Sequence, residues 1–192
     1  MTKLNLLLVT CCAAFFGWKA SPCPQEAPAP GATCCEAVQT VSLPEASALD
    51  RIKALEGTWI SLDEEGQPTD TVVSTYRTTA GGSAVLETIF PGTKNEMISV
   101  YHLDGEDLVL THYCTMQNQP RMRATKDSDA KKIVFKAYEV CNAKSDADPA
   151  MRQGTVWFLG ENRLKSEWLM TENGEVTYTA AMNLQRLTTE AK

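Results

Sequence analysis

The 192-residue sequence has only two histidines, His102 and His112, and both lie mid-chain. It has no glycine-x-serine-x-glycine elbow, no phosphate-cradling glycine loop and no dinucleotide fingerprint, which argues against the enzyme classes built on those devices. Positive charge is in deficit. Lys and Arg number 18 against 24 Asp and Glu, for a net charge of −6. An acidic chain without interleaved basic residues is a poor match for nucleic acid or an anionic membrane surface. Long apolar runs are also scarce. The one apolar stretch, Leu4 to Trp18, is too short and too weakly flanked for a confident transmembrane helix.

That stretch follows an early lysine, in MTKLNLLLVTCCAAFFGWKA, and has the pattern of an export signal. Cleavage is expected near Ala20. It removes Lys3 and Lys19 and takes the net charge from −6 to −8. LVTC at residues 8 to 11 also has the outline of a lipoprotein box, with Thr10 where a small residue is usual. The expected location is periplasmic or extracellular, free or tethered by lipid, with no integral membrane domain after processing. Five cysteines then remain: Cys23, Cys34, Cys35, Cys114 and Cys141. An odd count leaves at least one thiol free or paired with another chain, and oligomeric state stays open.

Residues 21 to 44 are rich in Pro and Ala with little periodicity, and read as a linker. The domain is expected over 45 to 192. EASALDRIKALEG spaces Leu49, Ile52 and Leu55 as one helical stripe and stops at Gly57. After Gly57 every periodic run is short and rich in β-branched or aromatic residues. The connections, among them AGGS, PGTK, DGED and ENGE, are turn-like. The fold class is therefore all-β: about ten antiparallel strands from Thr58 to Leu187, an up-and-down barrel with one short N-terminal helix across one end. Closure removes the edges that a flat sheet leaves exposed.

LEGTWISL at residues 55 to 62 resembles the glycine-x-tryptophan opening of lipocalins and their fatty-acid-binding relatives, the calycin barrels. The similarity spans roughly residues 45 to 187 and runs closest to secreted bacterial lipocalin-like domains. It implies that Trp59 sits in the first strand at the closed end. It also implies that a basic residue of the last strand, Arg186 in NLQRL, packs on it. The chain departs from two relatives. No helix-turn-helix lid fits between Leu62 and Thr71, and no histidine lies near the C-terminus to hold the haem of a nitrobindin-like barrel.

Turn lengths predict which residues share a face, because side chains alternate along a strand. The DGED hairpin puts His102 and His112 on opposite faces, which disfavours zinc; no metal and no cofactor is expected. Even loops at AGGS, PGTK and TMQNQP collect Arg77, Leu86, Tyr101, His112, Cys114, Arg121 and Arg123 on one face. Ser74, Tyr76, Glu87 and His102 fall on the other. With the first face inward, Arg77, Tyr101, His112 and Arg123 become the ligand-binding candidates. They suit an apolar molecule with an acidic head, which a guanidinium can grip by two parallel bonds. Glu167 is the carboxylate that could neutralise such an arginine. Two alternatives stay open: a packed structural or protein-interaction barrel, and an enzyme using His112 as a base beside Cys114. Trp157 and Trp168 read as core residues.

Overall fold

The computed structural model describes residues 46–188. The export-signal, linker and N-terminal cysteine expectations lie outside the described residues. Ten antiparallel strands close one barrel in the order β1-β10-β9-β8-β7-β6-β5-β4-β3-β2. Each strand thus pairs with its sequence neighbour, and β1 closes against β10. The strands are β1 (Gly57–Leu62), β2 (Pro68–Thr79), β3 (Ala84–Ile89), β4 (Met97–Asp104), β5 (Asp107–Tyr113), β6 (Gln119–Ala124), β7 (Lys132–Cys141), β8 (Ala150–Phe158), β9 (Arg163–Glu172) and β10 (Glu175–Arg186). The all-β, ten-stranded expectation holds. Among the described residues no helix is long and apolar enough to cross a membrane.

The single α-helix among the described residues, α1 (Ala48–Lys53), is shorter than the apolar stripe suggested. Ser47 caps its start by accepting from the Asp50 amide. At its end the chain tightens, with Leu55 and Glu56 amides bonding three residues back. The carbonyls freed there are taken by the barrel. The Trp59 indole donates to Leu55 at 2.8 Å. Arg186 donates to the carbonyls of Ala54, at 2.7 Å, and Glu56. Helix termini leave such carbonyls unsatisfied, so these bonds fasten α1 over the closed end. The Arg186 guanidinium also lies 4.5 Å over the Trp59 ring, and the two residues are register partners on β10 and β1. Trp59 is fully buried.

Register corrects the predicted faces. Thr79 pairs with Ala84 and Asp104 with Asp107, so those turns are even, and His102 and His112 do face opposite ways. Ile89, however, pairs with Met97 across seven residues, and Val109 pairs with Arg123 through an odd connection. Each odd turn reverses the parity beyond it. Glu87 therefore shares the inner face with Ser99 and Tyr101, while Arg77, Arg121 and Arg123 lie outside.

Candidate functional site

The inner wall of β2 to β5 carries one polar row. Tyr76 pairs with Glu87, Glu87 with Ser99, and Ser99 with His112. All four are buried. On the Glu87 carboxylate, Oε1 accepts from Ser74 at 3.0 Å and from Tyr76 at 2.7 Å, and Oε2 accepts from Tyr101 at 2.7 Å. Tyr101 reaches up from the neighbouring row, where its partners are Val85 and Leu110. Burial pushes the Glu87 carboxyl up, and the hydroxyls of Tyr101, Tyr76, Ser74 and Ser99 hold it down against that. Both tyrosines are driven well above their ordinary value, by burial first and by the Glu87 charge second. They remain hydroxyl donors. Among the described residues Glu87 has no cationic partner, so hydroxyls alone solvate it.

His112 ends the row. Its Nδ1 lies 3.0 Å from the Ser99 hydroxyl. Its ring stacks on Trp168, with centroids 6.0 Å apart and planes 20° apart. Trp168 in turn lies flat over Gly154, its register partner on β8. Burial lowers the His112 pKa to about 4, so the imidazole is neutral at physiological pH. His112 and Trp168 form part of the wall of a cavity of about 520 Å³. The cavity opens at the barrel end away from α1, between the β3–β4 turn, the Cys114–Met116 segment and the start of β10. Met97, Met116, Met151, Met170 and Met182 line it, five of the chain's 7 methionines. Thioether chains are unbranched and polarisable, and adapt to irregular apolar guests.

The expected site residues divide. Tyr101 and His112 are inside, with Tyr101 spent on Glu87 and His112 at the cavity. Arg77 is exposed. Arg123 lies outside, paired with Asp104 at 2.8 Å and with Asp107. Arg121 pairs with Glu139 at 2.7 Å, also outside. Glu167 sits near Lys165, at 3.7 Å, and not near a cavity arginine. The guanidinium anchor for an acidic head group is thus absent from the cavity wall. Cys114 lines the cavity with a free thiol, and Cys141 is also free. No group of three or more His, Cys, Asp and Glu among the described residues could hold a metal ion.

Sequence reasoning placed Met97 on the inner face but missed Glu87, Ser74, Tyr76 and the other cavity methionines. The signal for Glu87 was present in AVLETI: Val85 and Ile89 flank it at alternate positions, so an apolar face carries one carboxylate in its middle. Nothing local marks the methionines, which come from five separate segments. No protein-family model matches the chain, and no curated protein matches it.

Proposed function

We propose that this protein is an exported, non-catalytic carrier for a small, largely apolar molecule held in the methionine-lined mouth of a lipocalin-like barrel. The carrying observation is the cavity itself. Its volume of about 520 Å³ falls in the range of small-molecule sites, roughly 300–1,000 Å³. A barrel packed solid for structural or protein-interaction duty has no need of such a void. The calycin assignment is supported at the closed end, by Trp59 under Arg186 after Gly57. The export assignment rests on the apolar run after Lys3.

Native mass spectrometry of protein isolated from its source reads both points. A retained small molecule and a mass lacking residues 1 to 20 are expected; acylation at Cys11 selects the lipid-tethered form. In parallel, an uncharged polarity-sensitive dye is titrated into wild type, Ala180→Trp and Arg77→Met. Ala180 lines the cavity, so the indole fills it and dye uptake is lost. Arg77 is exposed, and its variant binds as wild type does. Equal uptake by all three proteins rejects the cavity as the binding site.

A further inference from the structure

Sulfur gathers at the mouth of the barrel. Met97 opens β4 two residues before Ser99, whose register partner is His112. Ile98 pairs with Tyr113, so the next position sets Met97 across from Cys114. The Thr115 hydroxyl donates to Met97 Sδ at 3.8 Å, which holds that thioether beside the Cys114 segment. On the facing wall Met151 and Met170 are register partners, and Met170 follows Trp168 by two residues on β9. The two walls meet one step deeper, where His112 stacks on Trp168 with 6.0 Å between ring centroids. Met97, Cys114, Met151 and Met170 therefore form one layer on the open side of that stack, and all four line the same cavity.

His112 adds a nitrogen at the base of the layer. It is 4% exposed, and its hydrogen bond runs from Nδ1 to Ser99. Nε2 has no hydrogen-bond partner among the described residues. Nor is it walled in. Among the described residues the enclosed side-chain atoms without a partner are Asn118 Oδ1 and Arg152 Nε, so Nε2 keeps a free surface, and the void that His112 borders is the cavity. Burial holds the His112 pKa at about 4, so the ring is neutral at physiological pH, as ligation requires. Ser99 suits either tautomer, because a hydroxyl accepts as well as donates; with an ion on Nε2 it accepts from Nδ1–H. Thiol, thioether and imidazole together make a soft donor set. It differs from the clusters of His, Cys, Asp and Glu that hold harder ions, none of which occurs among the described residues. Charge selects further. A monovalent ion displaces the Cys114 proton, which leaves to solvent, and the resulting ion–thiolate pair is neutral. A divalent ion would leave a net charge in an apolar wall, which is costly.

We propose that the mouth of the barrel is a site for one soft monovalent metal ion, of the chemistry of Cu(I), held by Cys114, Nε2 of His112 and thioethers drawn from Met97, Met151 and Met170. Methionine side chains are unbranched and adjustable, so their sulfurs can turn inward onto one ion. Ser99 is a positioning residue for the imidazole. The inference goes beyond the carrier reading and does not rest on it: the ion needs the sulfur atoms, and the apolar guest needs only the void.

The test uses the full chain with every cysteine but Cys114 changed to serine, so that no other thiol competes. Ag(I) is the redox-inert probe, and NMR of labelled methionine methyls follows its addition. The Met97, Met151 and Met170 signals are expected to move at stoichiometric Ag(I). Met122, buried in the core and outside the cavity wall, stays in place. Zn(II) moves none of them. Anaerobic competition for Cu(I) against the chromophoric chelator bicinchoninate reads the affinity. Met151→Leu/Met170→Leu keeps the apolar bulk of the wall. It is expected to weaken Cu(I) binding at least about tenfold, the least that even a residue supporting a metal ligand contributes, while uptake of the uncharged dye is retained. Cavity methyls that stay still under Ag(I), equal shifts under Zn(II), or a leucine variant that holds Cu(I) as its parent does overturn the proposal. Dye uptake without methyl shifts removes the metal site and leaves the carrier reading standing; methyl shifts without dye uptake do the reverse.

Discussion

Replacing Gly154 by alanine tests the wall of the site through a single methyl group. Gly154 is buried on β8 opposite Trp168 of β9. Its φ is not in the left-handed range, so alanine meets no backbone strain. Freed from other effects, the change would stabilise by about 0.4–1 kcal/mol through the unfolded chain. The packing opposes it. A Cβ at this position would stand 2.3 Å from Cζ3 and 2.5 Å from Cε3 of the Trp168 ring. Ordinary contact begins near 3.4 Å, so the ring must withdraw by about 1 Å. It is a rigid indole, stacked on His112, and cannot flex aside as a lysine tip would. Overpacking of this kind costs about 1–3 kcal/mol. The steric cost outweighs the gain in the unfolded chain, and a net loss of about 1–2 kcal/mol is expected. Urea unfolding measures it as a lowered midpoint at unchanged slope, and near-ultraviolet circular dichroism follows the indole. The displaced ring also crowds the cavity, so dye uptake falls. A variant as stable as wild type, with the same aromatic spectrum, refutes the reasoning.

Three further outcomes follow from the same geometry. Trp59→Ala removes a fully buried indole that bonds to Leu55 and carries Arg186, and a loss of about 3–5 kcal/mol is expected in urea unfolding; a negligible change rejects its core role. Tyr101→Phe leaves Glu87 Oε2 short of a donor at a buried site and should cost about 1–3 kcal/mol, while Tyr113→Phe, on an exposed residue, serves as the neutral control. His112 sets a pH dependence. Its folded pKa, about 4, lies below the ordinary 6.5, so between those values the unfolded chain takes up a proton that the folded chain refuses. Its contribution is fully present above the upper value and declines as pH falls toward the lower, by roughly 3 kcal/mol relative to His112→Phe. Glu87, pushed up by burial, works in the opposite sense above its own ordinary value, and the comparison with His112→Phe sets it aside. Parallel stability–pH curves for the two proteins would show that His112 titrates normally.

The strand positions were legible because alternation is local. Each run from Gly57 to Arg186 carries its own period, and most turns carry glycine or a short polar side chain. The interior was harder to read, because face assignment passes through every turn in succession. The seven-residue connection after Ile89 starts at Phe90 with φ 50°, and the connection after Tyr113 contains Gln117 with φ 63°. Both are left-handed positions held by residues that do not advertise them. Counting such turns as even carries Arg77, Arg121 and Arg123 inward and Glu87 outward, the reverse of their places. The apolar partners of Glu87 were the better guide, since Val85 and Ile89 are buried and cannot face water with it.

The cavity also depended on closure. Met97 and Met182 stand far apart in the chain and face one void only because β10 returns to β1. The polar row has a different physical logic. A carboxylate without a cation is costly inside a barrel, and an apolar row of similar volume would often be as stable or more so. Three hydroxyls, those of Ser74, Tyr76 and Tyr101, bond to the carboxylate and offset part of that cost. At the far end of the row, His112 bonds to Ser99 through Nδ1 and borders the cavity. An acidic head group finds no guanidinium in the cavity wall, because Arg121 and Arg123 pair with carboxylates outside it. In the carrier reading proposed above, the methionine wall sets the size and apolarity of the guest.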